Sequence, residues 1–594
     1  MCGIVGLTSE KISSKETLYA LRKLEYRGYD SVGISTLTPT IKTNKMKGKV
    51  NDFIKDNVDN LPEGNTSIAH TRWATHGKPS KTNSHPISAN GMSLVHNGII
   101  ENESSLREKL MQKGHKFISE TDTEVILRLI IDSGKSIDNA LPEVIKKLEG
   151  SFAIAILDEK NQQKIYFARK SSPLIIGVGK SEMWLSSDVN AILEKTREVC
   201  FLEDERWGFI TPDKASVFTM DGEREEIKTS TIPWDPESTH KAGYPHFMLK
   251  EIFEQPRCLT DSMSDKMDLE SIRFPENAAK VLKNVKRIKL IACGTSYNAT
   301  LAFKYWTENF ADIPCDVEYA SEARFRPVFE EEGLLVIAVS QSGETADTIK
   351  AAENYTNKKV PLLSIVNSYG SALERMSDAV LRTHAGVEIG VAATKTHITQ
   401  LLTLYLISLH LSKKDNKKEK IQELRRLPLA IEKVLSKDEE IENVAKKYTK
   451  VKNVLFLGRQ YSWPTALEGS LKLKEISYIH AEAYAAGEMK HGPIALVSEK
   501  LLSVIVANND EHFEKVIGNL REISARKGQI LLLTTEDAPE IKQADSTIRI
   551  SSISSEMSSF CFVVVLQLLS YHIAKHLGLD IDQPRNLAKT VTVE

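Results

Sequence analysis

The sequence predicts an α+β domain of layered β-sheets with helices, followed by two copies of one α/β subdomain built on a parallel sheet. Three observations predict it. Up to about residue 235, short alternating or apolar runs are punctuated by Gly, Asn, Asp and Pro, the texture of sheet-rich α+β structure. From about residue 249, β-branched apolar runs alternate with helix-length segments, as in strands buried on both faces. That second texture then occurs twice. Length agrees, since 594 residues exceed what one core can serve.

In chain order, GIVGL, TSIAHTRW, MSLVHNGII, SFAIAILD, KIYFARK, LIIGVG and EMWLSS read as strands. Helices are expected around Lys15–Tyr26 and Thr123–Asp132. Pro233, Pro236, His240, Gly243 and Pro245 then break all periodicity and mark a linker. The repeat follows. Strand IKLIAC runs into Gly294-x-x-Tyr297, and strand NVLFLG into Gly458-x-x-Tyr461. LLVIAVS, PLLSIV, DAVLRT and the uncharged stretch Thr396–Ser412 follow the first. LLSVIVA, QILLLTT, DSTIRI and the uncharged stretch Met557–Ala574 follow the second. Four matched elements in order define two copies of one unit.

The expected boundaries are 2–235 for the first domain, 236–248 for the linker, 249–420 and 421–575 for the two subdomains, and 576–594 for a tail. The run KKDNKKEKIQELRR at 413–426 reads as a solvated connection between lobes. The two uncharged stretches carry Gln400 and His410, or Gln567, Ser570 and His572. That polarity favours helices buried in a soluble domain over membrane spans.

Charge and cysteine content narrow the function classes. The 78 Lys+Arg against 80 Asp+Glu leave a net charge of −2, without the basic excess of a polyanion binder. Six cysteines are too sparse for a disulfide framework and fit a reducing compartment. The start MCGIVGLTSEK has no basic n-region or long apolar run, so a cytoplasmic location is expected.

Cys2 is the first chemical candidate. Cleavage of Met1 places a free α-amine on the residue that bears the thiol. Such an amine has a reference pKa of about 7.7–8.0, suited to a general base, so one residue supplies nucleophile and base. Acyl transfer also needs donors for a developing oxyanion. Asn97 offers a side-chain amide and Gly98 an unobstructed backbone N–H, although Asn-Gly alone reads as a hairpin turn.

CGIVG, EYRGYDS, HTRWATHG, NSHP, HNGII and SETDTE occur in that order. Together they resemble the glutamine amidotransferases with an N-terminal nucleophile, over about residues 2–235. The resemblance implies an N-terminal-nucleophile amidohydrolase fold in which Cys2 attacks the glutamine amide. It further implies that Arg72 pairs with the glutamine α-carboxylate, Asp122 takes the α-ammonium, and Thr75 and His76 line the pocket. Asn97 and Gly98 form the oxyanion hole, and Trp73 gates an ammonia channel. His70, His85 and His96 are read as structural. Their spacing matches no usual zinc pattern, and neither metal nor cofactor is expected.

In the first repeat, Ser340-Gln-Ser-Gly-Glu-Thr345 follows one strand, and Cys293-Gly-Thr-Ser-Tyr297 follows another. Hydroxyls and free N–H groups at helix starts favour anions. Ordinary N-capping explains either turn alone, but two at strand ends point to phosphate. The matching turn of the second repeat, ANNDEH, carries Asp510 and Glu511, which repel phosphate. One phosphate site per chain is expected.

SQSGET in duplicated lobes resembles the sugar isomerase domain family, which implies two subdomains with parallel sheets. EIGVAATK, ALEGSLKLKEISYIHAEAYAAGEMKHGP and PRNLAKTVTVE extend the resemblance to enzymes that aminate fructose 6-phosphate with glutamine nitrogen. It implies that Thr295, Ser296, Ser340, Gln341, Ser342, Thr345, Val391 and Ala588 hold the sugar phosphate. Lys589 forms a Schiff base, Glu475 moves a proton between neighbouring carbons, and Lys472 lies near the sugar hydroxyls. His491 assists ring opening from the partner subunit, which makes a homodimer the expected unit. Read without the resemblance, KLKEI is an ordinary helix face with its lysines outward. One departure is Ala393, where the family usually has a serine. The rival readings are another ammonia-acceptor enzyme or a deglycase, against which the intact KLKEI, KHGP and NLAK motifs speak, and a non-catalytic sugar-phosphate sensor, which would have no use for Cys2 beside HTRWATHG and HNGII.

Overall fold

Two antiparallel sheets fill the first of the two units into which the chain divides, residues 1–239 with 590–594; the second unit is residues 240–589. The computed structural model describes residues 2–73, 77–232, 240–268 and 270–591. In the first unit an eight-stranded sheet centres on Glu182–Ser186, Gly3–Ser9, Thr66–Arg72 and Ser31–Leu37, in that spatial order. A seven-stranded sheet centres on Ile165–Lys170, Gly150–Asp158 and Met92–Ile100. Ile4, Ile68, Val95, Ala155, Phe167 and Leu185 form the apolar layer between them. Helix Asp122–Asp132 buries Val125, Ile126, Leu129 and Ile130 against the outer face of the second sheet. Strands covered on both sides lose the alternation of a half-exposed strand, and Gly3–Ser9 and Thr66–Arg72 are buried throughout.

Both expected helices form. The first runs Ser14–Arg22 and gives way to a tight turn at Glu25–Arg27, because Leu24 must pack against Gly3. A Cβ on Gly3 would lie 2.9 Å from that of Leu24. The second begins one residue early, at Asp122, where acidic side chains suit the positive end of the helix.

The second unit contains two five-stranded parallel sheets of identical order. One runs Cys315–Tyr319, Arg287–Ala292, Leu334–Ser340, Leu362–Val366 and Ala379–Arg382. The other runs His480–Ala485, Asn453–Gly458, Leu501–Val506, Gln529–Thr535 and Ser546–Ile550. In each, the second strand of the lobe is an outer neighbour of the first. The strand order therefore reverses between strands one and three, and ligand crevices of open α/β sheets lie at that switch point.

The long helices that carry the two uncharged stretches, Lys395–Leu411 and Ser555–His576, lie in the shared core of both lobes. Ser555–His576 is long and apolar enough to cross a membrane, but its apolar window is wholly buried here. Its polar side chains have partners: Gln567 accepts from Gln255 at 2.9 Å, and His572 lies 2.6 Å from Asp438. Two expectations need correction. The charged run at 413–426 is more than a solvated connection, since helix Lys417–Leu424 buries Ile421 and Leu424. Helix Phe247–Phe253 begins inside the expected linker and buries Met248, Glu251 and Ile252.

Candidate active sites

In the first unit, strand register sets the nucleophile. Gly3 pairs with Thr71, so the preceding residue, Cys2, falls beside Arg72 and Trp73. The Trp73 backbone N–H donates to the Cys2 Sγ at 3.3 Å. Burial raises the thiol pKa, against the pull of that N–H and of Arg72, which is consistent with a thiol that needs an adjacent base. The Trp73 ring meets Tyr29 edge-on at 5.6 Å.

Asn97 and Gly98 lie within strand Met92–Ile100, not in a hairpin turn. Asn97 Nδ2 donates to the Cys2 carbonyl at 3.1 Å. Asn97 Oδ1 and the His96 carbonyl both face His70 Nε2, at 3.1 and 3.0 Å. Two acceptors on one ring nitrogen fix the proton there, and so fix which way the Asn97 amide points. Gly98 has φ +133°, and a Cβ there would lie 2.0 Å from the Ser151 carbonyl oxygen. Only glycine fits. Arg72 and Asp122 are both buried, and both act electrostatically on Cys2. Asp122 Oδ2 accepts from the Ile100 N–H at 3.0 Å. Thr75 and His76 lie outside the described residues. Burial drives His70 down to about 3 and His85 well below its usual range, and His96 is buried beside them.

In the second unit, the two hydroxyl-rich turns follow strands Arg287–Ala292 and Leu334–Ser340, which flank the switch point. The Gly343 N–H donates to Ser340 Oγ at 3.0 Å, and Ser340 Oγ lies 3.1 Å from Thr345 Oγ1. The Glu344 N–H donates to Ser342 Oγ at 3.1 Å, and the Gln341 carbonyl accepts from the Asn367 N–H. Gly343 sits at φ +64°, with Ser371 occupying the space a side chain would need. Ser296 Oγ accepts from Gln400 Nε2 at 3.1 Å.

Thr295 leads to the carboxylates. Its Oγ1 donates to Glu468 Oε1 and accepts from Lys472 Nζ, each at 3.1 Å. Lys472 Nζ is also 2.7 Å from Glu475 Oε2 and 3.3 Å from Glu468 Oε1. The outward lysines expected of KLKEI are thus half wrong: Lys474 is exposed, but Lys472 is fully buried. An unpaired buried ammonium would cost several kcal/mol. Burial lowers the Lys472 pKa, but Glu468 and Glu475 outweigh it and hold the ammonium charged. Burial raises the Glu475 carboxyl despite Lys472, the direction a general base at neutral pH needs. Sequence reasoning missed Glu468. Residues 468, 472 and 475 are spaced i, i+4, i+7 on helix Ser462–Ser477, one helical face, and that spacing was available to find it.

The tail brings in Lys589. Asp582 accepts from the Phe247 and Met248 N–H groups at 2.9 and 3.0 Å, and its carbonyl accepts from the Val391 N–H. Lys589 Nζ then reaches Glu388 Oε2, and donates to the Gly390 carbonyl at 2.9 Å. Ala588 is half-buried. His491 is exposed at the end of the turn Ala486–His491 and makes no hydrogen bond or ion pair with the Lys472 cluster.

Glu251 lies beneath the turn from Glu388 to Ala392 that meets Lys589, its Oε1 accepting from the Ile389 and Gly390 N–H groups at 2.5 and 3.1 Å. Burial, with Glu388 nearby, raises its carboxyl from 4.5 to about 8. The folded state therefore keeps a proton that the unfolded chain releases, so this carboxyl makes stability fall as pH rises from 4.5 to about 8. Glu251→Gln mimics the protonated form. Relative to the parent, it should gain stability across that window and level off above it, by urea unfolding at stepped pH. A constant difference from pH 4.5 to 8 would contradict a buried protonated Glu251.

Comparison with known proteins follows the same division. A glutamine amidotransferase domain model matches residues 70–194, and an SIS domain model matches residues 281–409 and 447–577. The glutamine–fructose-6-phosphate aminotransferase (isomerizing) of Aquifex aeolicus is 44% identical over the full length of both chains. That of Methanosarcina mazei is 43% identical, again over the full length of both. The solved C-terminal domain of the glucosamine–fructose-6-phosphate aminotransferase from Francisella tularensis superposes with a TM-score of 0.56 at 39% identity. It covers 58% of this chain and 100% of its own.

Proposed function

The chain belongs to the glutamine–fructose-6-phosphate aminotransferase family, and from that premise we propose how its own residues divide the work. It is a glutamine amidotransferase that couples glutamine hydrolysis to ketose–aldose isomerisation, making glucosamine 6-phosphate from fructose 6-phosphate at the entry to amino-sugar synthesis. The observation that carries the assignment of roles is a chain with two built sites: a thiol under a backbone N–H beside Arg72, and a lysine–carboxylate cluster beside a hydroxyl-lined switch point.

After Met1 is removed, the Cys2 amine takes the thiol proton and the sulfur attacks the glutamine side-chain carbonyl. The oxyanion is stabilised by Asn97 and Gly98, and the amine hands its proton to departing ammonia. Water then cleaves the glutamyl thioester to glutamate. Arg72 and Asp122 hold the two α-substituents of glutamine, with Thr75 and His76 completing the pocket. In the second unit, Thr295, Ser296, Ser340, Gln341, Ser342 and Thr345 hold the phosphate, with Val391 and Ala588 along the sugar. Lys589 adds to C2 of the open-chain ketose and expels water. Ammonia displaces the lysine. Glu475 then moves the carbon-bound proton from C1 to C2 while the C1 hydroxyl proton passes to the imine nitrogen, leaving an amine at C2 and an aldehyde at C1, with Lys472 beside the hydroxyls.

His491 opens the sugar ring from a second copy of the chain, so the working unit is a homodimer; its exposure within one chain supports this. A cytoplasmic location accords with six free cysteines. Incubation with glutamine and fructose 6-phosphate should yield glutamate and amino sugar in equal amounts, and failure to form amino sugar would refute the reading.

Trp73 gates ammonia transfer in this scheme. Its N–H holds the Cys2 thiol and it follows Arg72, so glutamine binding acts directly on its backbone. Trp73→Ala is expected to keep hydrolysing glutamine while the ratio of amino sugar to glutamate falls well below one. A folded variant whose ratio stays at one would leave Trp73 a packing residue, and melting curves separate the two outcomes.

A further inference from the structure

We infer that Glu388 is the positioning residue for Lys589, holding the amine at the sugar with one carboxylate oxygen while the other oxygen caps the helix that follows the sugar-lining turn. The inference rests on the proposed imine at Lys589 and deepens it. Glu388 is wholly buried at the start of helix Lys395–Leu411, a charge-poor helix whose first N–H groups lack intrahelical partners. Its oxygens divide the work. Oε1 accepts from the Thr394 and Thr396 N–H groups at 2.9 and 3.1 Å, and is 3.4 Å from Thr394 Oγ1. Oε2 accepts from Thr396 Oγ1 at 2.6 Å and from Lys589 Nζ.

Lys589 arrives on a tail with no regular secondary structure, so its backbone does little to aim four flexible methylenes. Two acceptors fix the amine: Glu388 Oε2 and the Gly390 carbonyl, 2.9 Å away. Both belong to the turn from Glu388 to Ala392, which also carries Val391. Glu251 clamps the same turn from the other side through the Ile389 and Gly390 N–H groups. The amine and the sugar-lining backbone are thus referenced to one rigid piece, and a misplaced nucleophile loses rate steeply. Burial works to raise the Glu388 carboxyl, but Lys589, the Thr396 hydroxyl and the Thr394 N–H outweigh it and keep it well below the usual range, which suits an anchor for the amine.

The oxygen division makes the role testable apart from a structural one. Glu388→Gln retains a carbonyl oxygen for the Thr394 and Thr396 N–H groups, but presents an NH2 to Lys589. The measurement is borohydride trapping of the fructose 6-phosphate adduct on Lys589, read by peptide mass spectrometry at saturating sugar, beside the sugar-phosphate dissociation constant. Expected is a trapping rate at least about tenfold lower, with the dissociation constant changed less than about threefold. Unchanged trapping overturns the inference. Loss of trapping together with loss of sugar binding makes Glu388 a helix-capping residue only, and overturns it too. If the Gln variant does not fold, Glu388→Asp carries the test. It keeps the charge but withdraws it by one methylene, so trapping slows at parental affinity, and trapping at the parental rate overturns the inference. Absence of an adduct in the parent enzyme refutes the imine itself, a result distinguishable from all of these.

Discussion

Cys2→Ala abolishes glutamine hydrolysis, with an expected loss of roughly a thousandfold or more, because nucleophile and base share one residue. The thiol sits where register places it, with the Trp73 N–H at 3.3 Å and the Asn97 amide tethered to the residue's own carbonyl. A serine keeps the shape and the amine base, but its hydroxyl is far less acidic and less nucleophilic than the thiol, so Cys2→Ser should also lose most of the activity. Glutamate release measures the loss, and fructose 6-phosphate binding by calorimetry serves as the folding control. A retained N-terminal tag should have the same effect as Cys2→Ala, since it converts the amine to an amide. Glutamine hydrolysis at the parental rate in the tagged protein would eliminate the amine as the base.

Glu475→Gln stops the isomerisation, with an expected loss of about 10²–10⁴ in the rate of proton transfer. An amide cannot accept the C1 proton, whereas Ser340, Ser342 and Thr345, proposed to hold the phosphate, lie on another lobe and keep their hydrogen bonds. The readout is exchange of the carbon-bound proton with deuterated solvent during turnover. Undiminished exchange would move the base to another residue, and Glu468, 3.3 Å from Lys472, is the first to examine. The change also leaves Lys472 one carboxylate short. Burial already works against its charge, so a lowered melting temperature is expected alongside the catalytic loss.

What failed in sequence reasoning failed for identifiable reasons. The edge strands Cys315–Tyr319 and His480–Ala485 were not anticipated. An edge strand has one neighbour and partial exposure, so it carries the mixed polarity of a loop. Asn97-Gly98 reads locally as a turn, yet it lies mid-strand, because the tight approach of Ser151 demands glycine for tertiary reasons. Lys472 and Lys474 differ by two positions in one helix, and only packing says that the first is interior.

The sequence by itself determined the elements and the chemistry carried by neighbours along the chain: the duplicated α/β lobes, the thiol on residue 2, the hydroxyl-rich turns at strand ends and the buried nature of the two uncharged stretches. Periodicity and local residue chemistry encode these within one turn or strand. The tertiary structure alone decided the order of strands that puts those turns at a switch point, the pairing of Lys472 with Glu468 and Glu475, and the meeting of Lys589 with Glu388. That last pair is separated by 201 positions. Neither partner has a local signal for the other, because an ion pair across such a distance is created by the fold that buries it, not by the sequence around either residue.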